Sequence, residues 1–213
     1  MSRRGAVISK LVDPQSVAVV GASTKPDSVG YVILENLVTR FKGQVYPVNP
    51  KYDEVELWGR RIKFYKSISD ISDPLDVVVI ATPALTVPKI LEEAGLKGVK
   101  AAIIISSGFA EAGNTELENW VRAVARQYGI RVLGPNCIGI YNAYTNFDTV
   151  FLPANRAGRP PPGPLALISQ SGAVAAAIMD WAARRRLGSR PAMVIRPTSR
   201  RWSYWGSPPL MIG

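Results

Sequence analysis

The stretch Ser16-Val17-Ala18-Val19-Val20-Gly21-Ala22-Ser23-Thr24-Lys25-Pro26-Asp27-Ser28-Val29-Gly30 decides the fold. Its first five residues form a β-branched, apolar run, the pattern of a strand buried on both faces. Gly21 permits a tight turn, and Ser28 stands where a helix cap belongs, ahead of helical spacing over Val29–Thr39. A strand that turns through glycine into a helix opens a parallel crossover, so the alternation should recur downstream. It does. Strands are expected at Gln44–Val48, Val77–Ala81, Ala101–Ile105 and Arg131–Leu133, and helices at Leu85–Leu96 and Thr115–Tyr128. Glu54–Ile71 reads as a hairpin-like insert plus a turn. The expected fold is α/β, a Rossmann-like doubly wound parallel sheet over about residues 8–150.

Such sheets bind ligands beyond the carboxyl ends of their strands, which directs attention to the loops there. The Gly21-Ala22-Ser23 turn offers backbone and hydroxyl groups beside a helix amino end that attracts phosphate, although its spacing is not G-x-G-x-x-G. The second strand ends in Asn49-Pro50-Lys51, where an NAD site usually places a carboxylate for the ribose hydroxyls. A lysine favours a phosphorylated ribose, which points toward NADP or coenzyme A. The remaining strand ends carry Ala81-Thr82-Pro83, Ser106-Ser107-Gly108-Phe109 and Gly134-Pro135-Asn136-Cys137-Ile138-Gly139. Small, hydroxyl and proline residues at successive strand ends suit one shared ligand site, with Asn136 available to hydrogen-bond a ligand or the backbone. The plainer readings are a strand-to-helix turn at Gly21 and a solvated Lys51. Cys137 is expected to be a buried structural thiol.

Composition narrows the chemistry. The 213 residues are 47% hydrophobic and 20% charged, enough to bury a substantial core. Histidine is absent and there is one cysteine, which excludes imidazole-based triads, His-bearing metal sites and an internal disulfide within this sequence. No catalytic residue and no metal site is assigned. No apolar run reaches membrane-spanning length and no secretion signal is expected, so the protein is read as soluble and cytoplasmic. The net charge of +10 is concentrated in seven arginines, with no acidic residue, from Arg184 to Gly213; the rest holds 19 basic against 16 acidic residues. Nucleic acid is therefore not the expected partner of the body.

Residues 151–164 are proline-rich and read as a linker between domains. A new strand is expected at Leu165-Ala166-Leu167-Ile168, then a turn at Ser169–Ala173 and a helix from Val174 to about Arg186. This makes residues 165–188 the truncated start of a second, flavodoxin-like α/β domain. Ser171, Gly172 and Ala173 form a second candidate phosphate-binding turn, unless Ser171 serves only as a helix cap.

Taken in order, Val19-Val20-Gly21-Ala22-Ser23, Val48-Asn49-Pro50-Lys51, Ala81-Thr82-Pro83, Ser106–Phe109, Gly134–Gly139 and Leu167–Ala173 resemble one family. It is the alpha subunit, or alpha part, of NDP-forming acyl-CoA synthetases, especially ADP-forming acetate–CoA ligases, related to succinyl-CoA synthetase. The resemblance implies that coenzyme A meets the Gly21–Ser23 loop, Pro50 and Lys51, with Ala81–Pro83, Ser106–Gly108 and Asn136 along the rest of the ligand. It further implies that Ser171–Ala173 steadies a phosphorylated histidine of the second domain. ATP or ADP, with Mg, would be handled by an ATP-grasp beta subunit or domain, and a small carboxylic acid would be the co-substrate. That histidine and the ATP-grasp module lie outside this sequence, so the chain is expected to be inactive alone.

From residue 189 the sequence departs from the family pattern, and residues 189–213 are expected to be an out-of-frame or non-native tail. Back-translation of Pro191–Gly206, read from the third base of the first codon, gives Gly-Tyr-Gly-Asn-Lys-Ala-Asp-Val-Glu-Glu-Val-Glu-Leu-Leu-Gly. That acidic, glycine-containing segment resembles the family's continuation, and the single codons of Met193 and Trp202 are compatible with it. The rival reading of the tail is a basic-aromatic nucleic-acid segment. For the whole chain, an NADP-dependent oxidoreductase and a stand-alone CoA-binding regulatory protein are the alternatives.

Overall fold

The computed structural model describes residues 8–189 and the backbone of residues 3–7 and 192–194. The chain begins with α1 (Arg3–Val12), β1 (Ser16–Val20), α2 (Val29–Arg40) and β2 (Gln44–Val48). The hairpin β3 (Glu54–Leu57) and β4 (Arg60–Lys63) follows, then β5 (Val77–Ile80), α3 (Val87–Leu96), β6 (Ala101–Ile104), α4 (Thr115–Tyr128) and β7 (Arg131–Leu133). Five strands form one wholly parallel sheet in the order β2-β1-β5-β6-β7. After β2 the chain crosses to the other side of β1, so the strand order reverses between β1 and β5.

Alternation along each strand divides the core in two. Ala18, Val20, Val78, Ile80, Ala102 and Ile104 pack with Val87 and Leu91 of α3 and Leu117 and Val121 of α4. Val17, Val19, Val77, Val79, Ala101 and Ile103 pack on the opposite face with Leu11 of α1 and Ile33, Leu34 and Leu37 of α2. Both faces are covered, which is why these strands read as continuous apolar runs.

The expected strands at Ser16–Val20, Gln44–Val48 and Arg131–Leu133 and the helix at Thr115–Tyr128 have the observed bounds, and the insert is a hairpin followed by a 3-10 turn at Ile68–Asp70. The helix expected from Leu85 begins at Val87, because Ala84–Thr86 forms a 3-10 turn and Pro88 occupies the first turn of α3. The sequence pattern does not announce α1 or the hairpin of β8 (Gly139–Asn142) and β9 (Phe147–Asp148).

The last part of the chain contains β10 (Pro162–Leu165), β11 (Ile168–Ser169), α5 (Gly172–Arg184) and β12 (Ala192–Val194). A mixed sheet runs β11-β12-β8-β9, with β12 parallel to β11 and antiparallel to β8. The strand expected over 165–168 is divided: β10 bridges to Ser189, where Leu165 N donates to Gly188 O and Ser189 N to Pro161 O, and pairing within the sheet begins at Ile168. Pro162 and Pro164 have no N–H to give a central ladder. The proline-rich segment is firmly packed. Ala157 is buried, Tyr141 donates its hydroxyl to Pro160 O, and Arg159 is tied to Asp148 of β9. Among the described residues Ile168, Val174, Trp181 and Leu187 leave large apolar side chains exposed beside this sheet. Apart from the backbone of β12, the tail on which the frame-slip expectation falls lies outside the described residues. No helix among the described residues is long and apolar enough to cross a membrane.

Asp76 fastens α1 to the start of the sheet. It accepts from the Lys10 ammonium and from Gln15 N. Burial opposes its ionisation, but the Lys10 ammonium together with the Gln15 and Ser16 N–H groups outweighs it and holds the carboxyl below its ordinary value. A carboxyl lowered in the folded state stabilises above the unfolded pKa of about 3.9 and loses that contribution as pH falls through the folded value. Asp76→Asn is therefore expected to cost about 1–2 kcal/mol at pH 7, with the gap from the parent closing in acid. Urea titrations at pH 7 and pH 3 check this; an equal gap at both would contradict it.

Candidate functional site

A crevice of about 660 Å³ opens at the carboxyl ends of β1, β2 and β5, at the point where the strand order reverses. Its geometry starts at Gly21, where the ladder ends on both sides of β1: Gly21 N donates to Val48 O, and Ala81 N donates to Val20 O. Gly21 has φ +88°, and a Cβ there would stand 2.5 Å from Ala81 O and 2.9 Å from Thr82 Cγ2. Gly30, in the first turn of α2, faces the Gly21 carbonyl so closely that a Cβ would collide with its oxygen. Both glycines let the loop lie flat between two strand ends and the helix start. Ser28 caps α2 by accepting from Tyr31 N at 3.3 Å. The amino end of that helix therefore borders the crevice, through Ser28, Val29 and Gly30.

The second wall is the turn after β2. Asn49 Nδ2 donates to Ala22 O at 2.8 Å, and Asn49 Oδ1 accepts from Lys51 N at 3.0 Å, so a single side chain ties this turn to the glycine loop. Tyr52 lies on the same wall. Thr24 is the main influence lowering its phenol below the ordinary value; Ser23 and the Lys51 ammonium act in the same direction, against the effect of burial. Lys25, Lys51 and Lys66 put three ammonium groups on the lining. The third wall comes from Thr82, Pro83, Thr86, Ile90 and Glu93, on the α3 side. Thr86 Oγ1 donates to Pro83 O at 2.7 Å, and Glu93 Oε1 accepts from Ser69 N and Ser69 Oγ.

Of the residues singled out in the sequence, Gly21, Ser23, Pro50, Lys51, Ala81, Thr82 and Pro83 come together on this lining. Ala22 is buried just behind it and contributes its carbonyl to Asn49. Ser106 stands one layer back, its hydroxyl donating to Thr82 O at 2.5 Å, and Asn136 N donates in turn to Ser106 O at 2.8 Å. Ser106, Ser107, Gly108 and Asn136 thus form the adjoining strand ends and do not line the crevice. The N–H groups of Gly108 and Phe109 are already matched by the two carboxylate oxygens of Glu111. Cys137 is buried, with its thiol directed to Ile104 O at 3.3 Å. Ser171, Gly172 and Ala173 sit apart from the crevice at the amino end of α5, where Ser171 Oγ accepts from Val174 N as a helix cap. The sequence reading did not assign Asn49, Tyr52, Lys66, Ile90 or Glu93; the hairpin and the crossover through α3 bring the last three to the site. Among the described residues no three Cys, Asp or Glu side chains stand together as a metal site.

This arrangement suits an elongated, anionic ligand with an apolar part: backbone N–H groups and a helix end on one side, the ammonium groups of Lys25 and Lys51 on the second, and Ile90 and Pro83 on the third. Similarity to known proteins leads the same way. The chain is 49% identical over 175 residues to the ADP-forming acetate–CoA ligase of Methanocaldococcus jannaschii, covering 82% of this chain and 24% of that protein. It is 46% identical over 184 residues to the alpha subunit of ADP-forming acetate–CoA ligase I of Pyrococcus furiosus, covering 85% and 39%. Its fold matches the structure of dinucleotide-forming acetyl-coenzyme A synthetase 1 from Ca. Korarchaeum cryptofilum in complex with phosphate and ADP, with a TM-score of 0.79 and 40% identity over 89% of this chain and 39% of that one. The chain therefore spans a quarter to two fifths of the length of these relatives. Residues 15–143 match the CoA binding domain, and the chain belongs to that family.

Proposed function

We propose that the crevice holds the 3′-phosphorylated adenosine diphosphate portion of coenzyme A, and that the chain is the CoA-binding part of an ADP-forming acyl-CoA synthetase. The observation that carries the reading is Lys51, exposed on the crevice lining at the end of β2 where a dinucleotide site would place a carboxylate. In this reading the Gly21–Ser23 turn and the start of α2 take the diphosphate, Lys51 takes the 3′-phosphate, and Ile90 and Pro83 supply apolar contact to the base. The pantetheine arm runs past Ala81–Pro83 toward the loops carrying Ser106–Gly108 and Asn136.

The whole reaction would join an acid, coenzyme A and ATP into acyl-CoA, ADP and phosphate. The CoA thiolate attacks the carbonyl of an acyl phosphate, the thioester bond forms and phosphate departs; a phosphohistidine links acyl phosphate to the nucleotide. This chain positions the thiol carrier. It contains no histidine, so the imidazole comes from outside these 213 residues, and an ATP-grasp beta subunit or domain supplies the nucleotide and Mg sites. The amino end of α5, at Ser171–Ala173, would face the phosphoryl group of that histidine, since first-turn N–H groups have no intrahelical partner. A cytoplasmic location, where acids, coenzyme A and ATP are all available, fits the reading. The chain alone is expected to bind coenzyme A and to form no acyl-CoA.

Calorimetric titration with coenzyme A and with NADPH tests the proposal. Coenzyme A should bind once per chain, and Lys51→Met should weaken it about tenfold or more through loss of a charge-assisted contact. Tight NADPH binding with no response to coenzyme A would replace this reading with that of an oxidoreductase.

A further inference from the structure

Three lysines line the crevice, and they are not equivalent. The side chains of Lys25 and Lys51 form no hydrogen bond or ion pair with the described residues. Lys66 differs. Its Nζ donates to Pro50 O at 3.2 Å and Tyr52 O at 3.0 Å, and pairs with Asp53 Oδ1 at 2.6 Å. An ammonium has three donors and no acceptor, so these partners saturate it. All three belong to the turn at 49–53 that carries Lys51. From its other side that turn is held by Asn49, which bonds both Ala22 O and Lys51 N.

We infer that Lys66 is a positioning residue: it closes the 49–53 turn from beneath so that Lys51 is presented to the anionic ligand, and it does not itself bind phosphate. This rests on the reading of the crevice as a coenzyme A site. A five-residue turn released from Lys66 samples more conformations, and each binding event must then order it before Lys51 can engage. Asp53, its side chain 87% exposed, is the third partner in the same closure. Lys66 is 46% exposed at its side chain, so its substitution leaves the core untouched.

The test is a double-mutant cycle in the full 213-residue chain, titrated with coenzyme A and with dephospho-coenzyme A, which lacks the 3′-phosphate. Lys51→Met and Lys66→Met are each expected to weaken coenzyme A about tenfold and to change dephospho-coenzyme A less than about twofold. The double variant should be no weaker than Lys51→Met alone, because Lys66 acts only through Lys51. Lys66→Arg, which keeps a cation on a long stem, should recover most of the affinity. Additive losses in the double variant would show that Lys66 touches the phosphate directly and would overturn the inference. So would unchanged coenzyme A affinity in Lys66→Met, or a parallel loss of dephospho-coenzyme A affinity. Equal wild-type affinity for the two ligands is a separate failure: it would remove the 3′-phosphate site itself, and the role of Lys66 with it.

Discussion

Gly21→Ala is expected to destabilise the chain by about 2–4 kcal/mol and to remove measurable coenzyme A binding. Two costs add. The left-handed conformation at φ +88° penalises any Cβ by about 1–2 kcal/mol, and the new methyl must displace the carbonyl end of β5, with Ala81 O only 2.5 Å away. The second cost is the one that matters for function, because moving Ala81 and Thr82 opens the wall against which the ligand lies. Gly98 provides the control. Its φ is also +88°, yet a Cβ there meets nothing within 4 Å, so Gly98→Ala should show the backbone penalty alone and leave ligand binding intact. Urea unfolding and calorimetric titration of both variants separate the terms; equal destabilisation by the two would contradict the close-approach argument.

Arg159→Met carries the other large effect, an expected loss of about 3–5 kcal/mol. The Arg159–Asp148 pair at 2.6 Å is almost fully enclosed, with side chains 6% and 3% exposed. Arg159 also donates to the carbonyls of Ala157, Val150 and Leu152 and stacks its guanidinium on Tyr141, so it joins the proline-rich segment to the β8–β9 hairpin. Removing it leaves Asp148 buried without its cation. Burial already pushes that carboxyl upward and Arg159 opposes the push. In the variant the folded carboxyl would sit well above its unfolded value, so the stranded-charge part of the penalty is absent below about pH 4 and grows as pH rises, while the lost bonds of Arg159 to the carbonyls cost the same throughout. Adding Asp148→Asn should recover part of the loss at pH 7 by removing the stranded charge. A stability change under about 1 kcal/mol at pH 7, or one independent of pH, would show that the segment is not clamped in this way.

The parallel sheet was legible because its strands are buried on both faces and their apolar runs need no partner to be recognised. The hairpin at 139–148 was not. Its buried polar residues are explained by distant groups: Asn142 Nδ2 donates to Val12 O, and Asp148 pairs with Arg159. Nothing in local spacing announces those pairings. The crevice shows the same division. Gly21 follows from the rule that such sheets meet ligands beyond the carboxyl ends of their strands, and Lys51 from the place where a dinucleotide site puts a carboxylate. Lys66 and Glu93 arrive through the hairpin and α3, and their place depends on how those elements fold back. Ser106 and Asn136 are at strand ends too, but β6 and β7 lie beyond β5, and both residues stand behind the lining.

The most direct measurement is a crystal structure of the chain with coenzyme A. The account predicts the adenosine in the crevice between the 49–53 turn and Ile90, the diphosphate over Gly21–Ser23, and the 3′-phosphate within hydrogen-bonding distance of Lys51 Nζ. A ligand bound elsewhere, or an empty crevice with Lys51 turned to solvent, would contradict it.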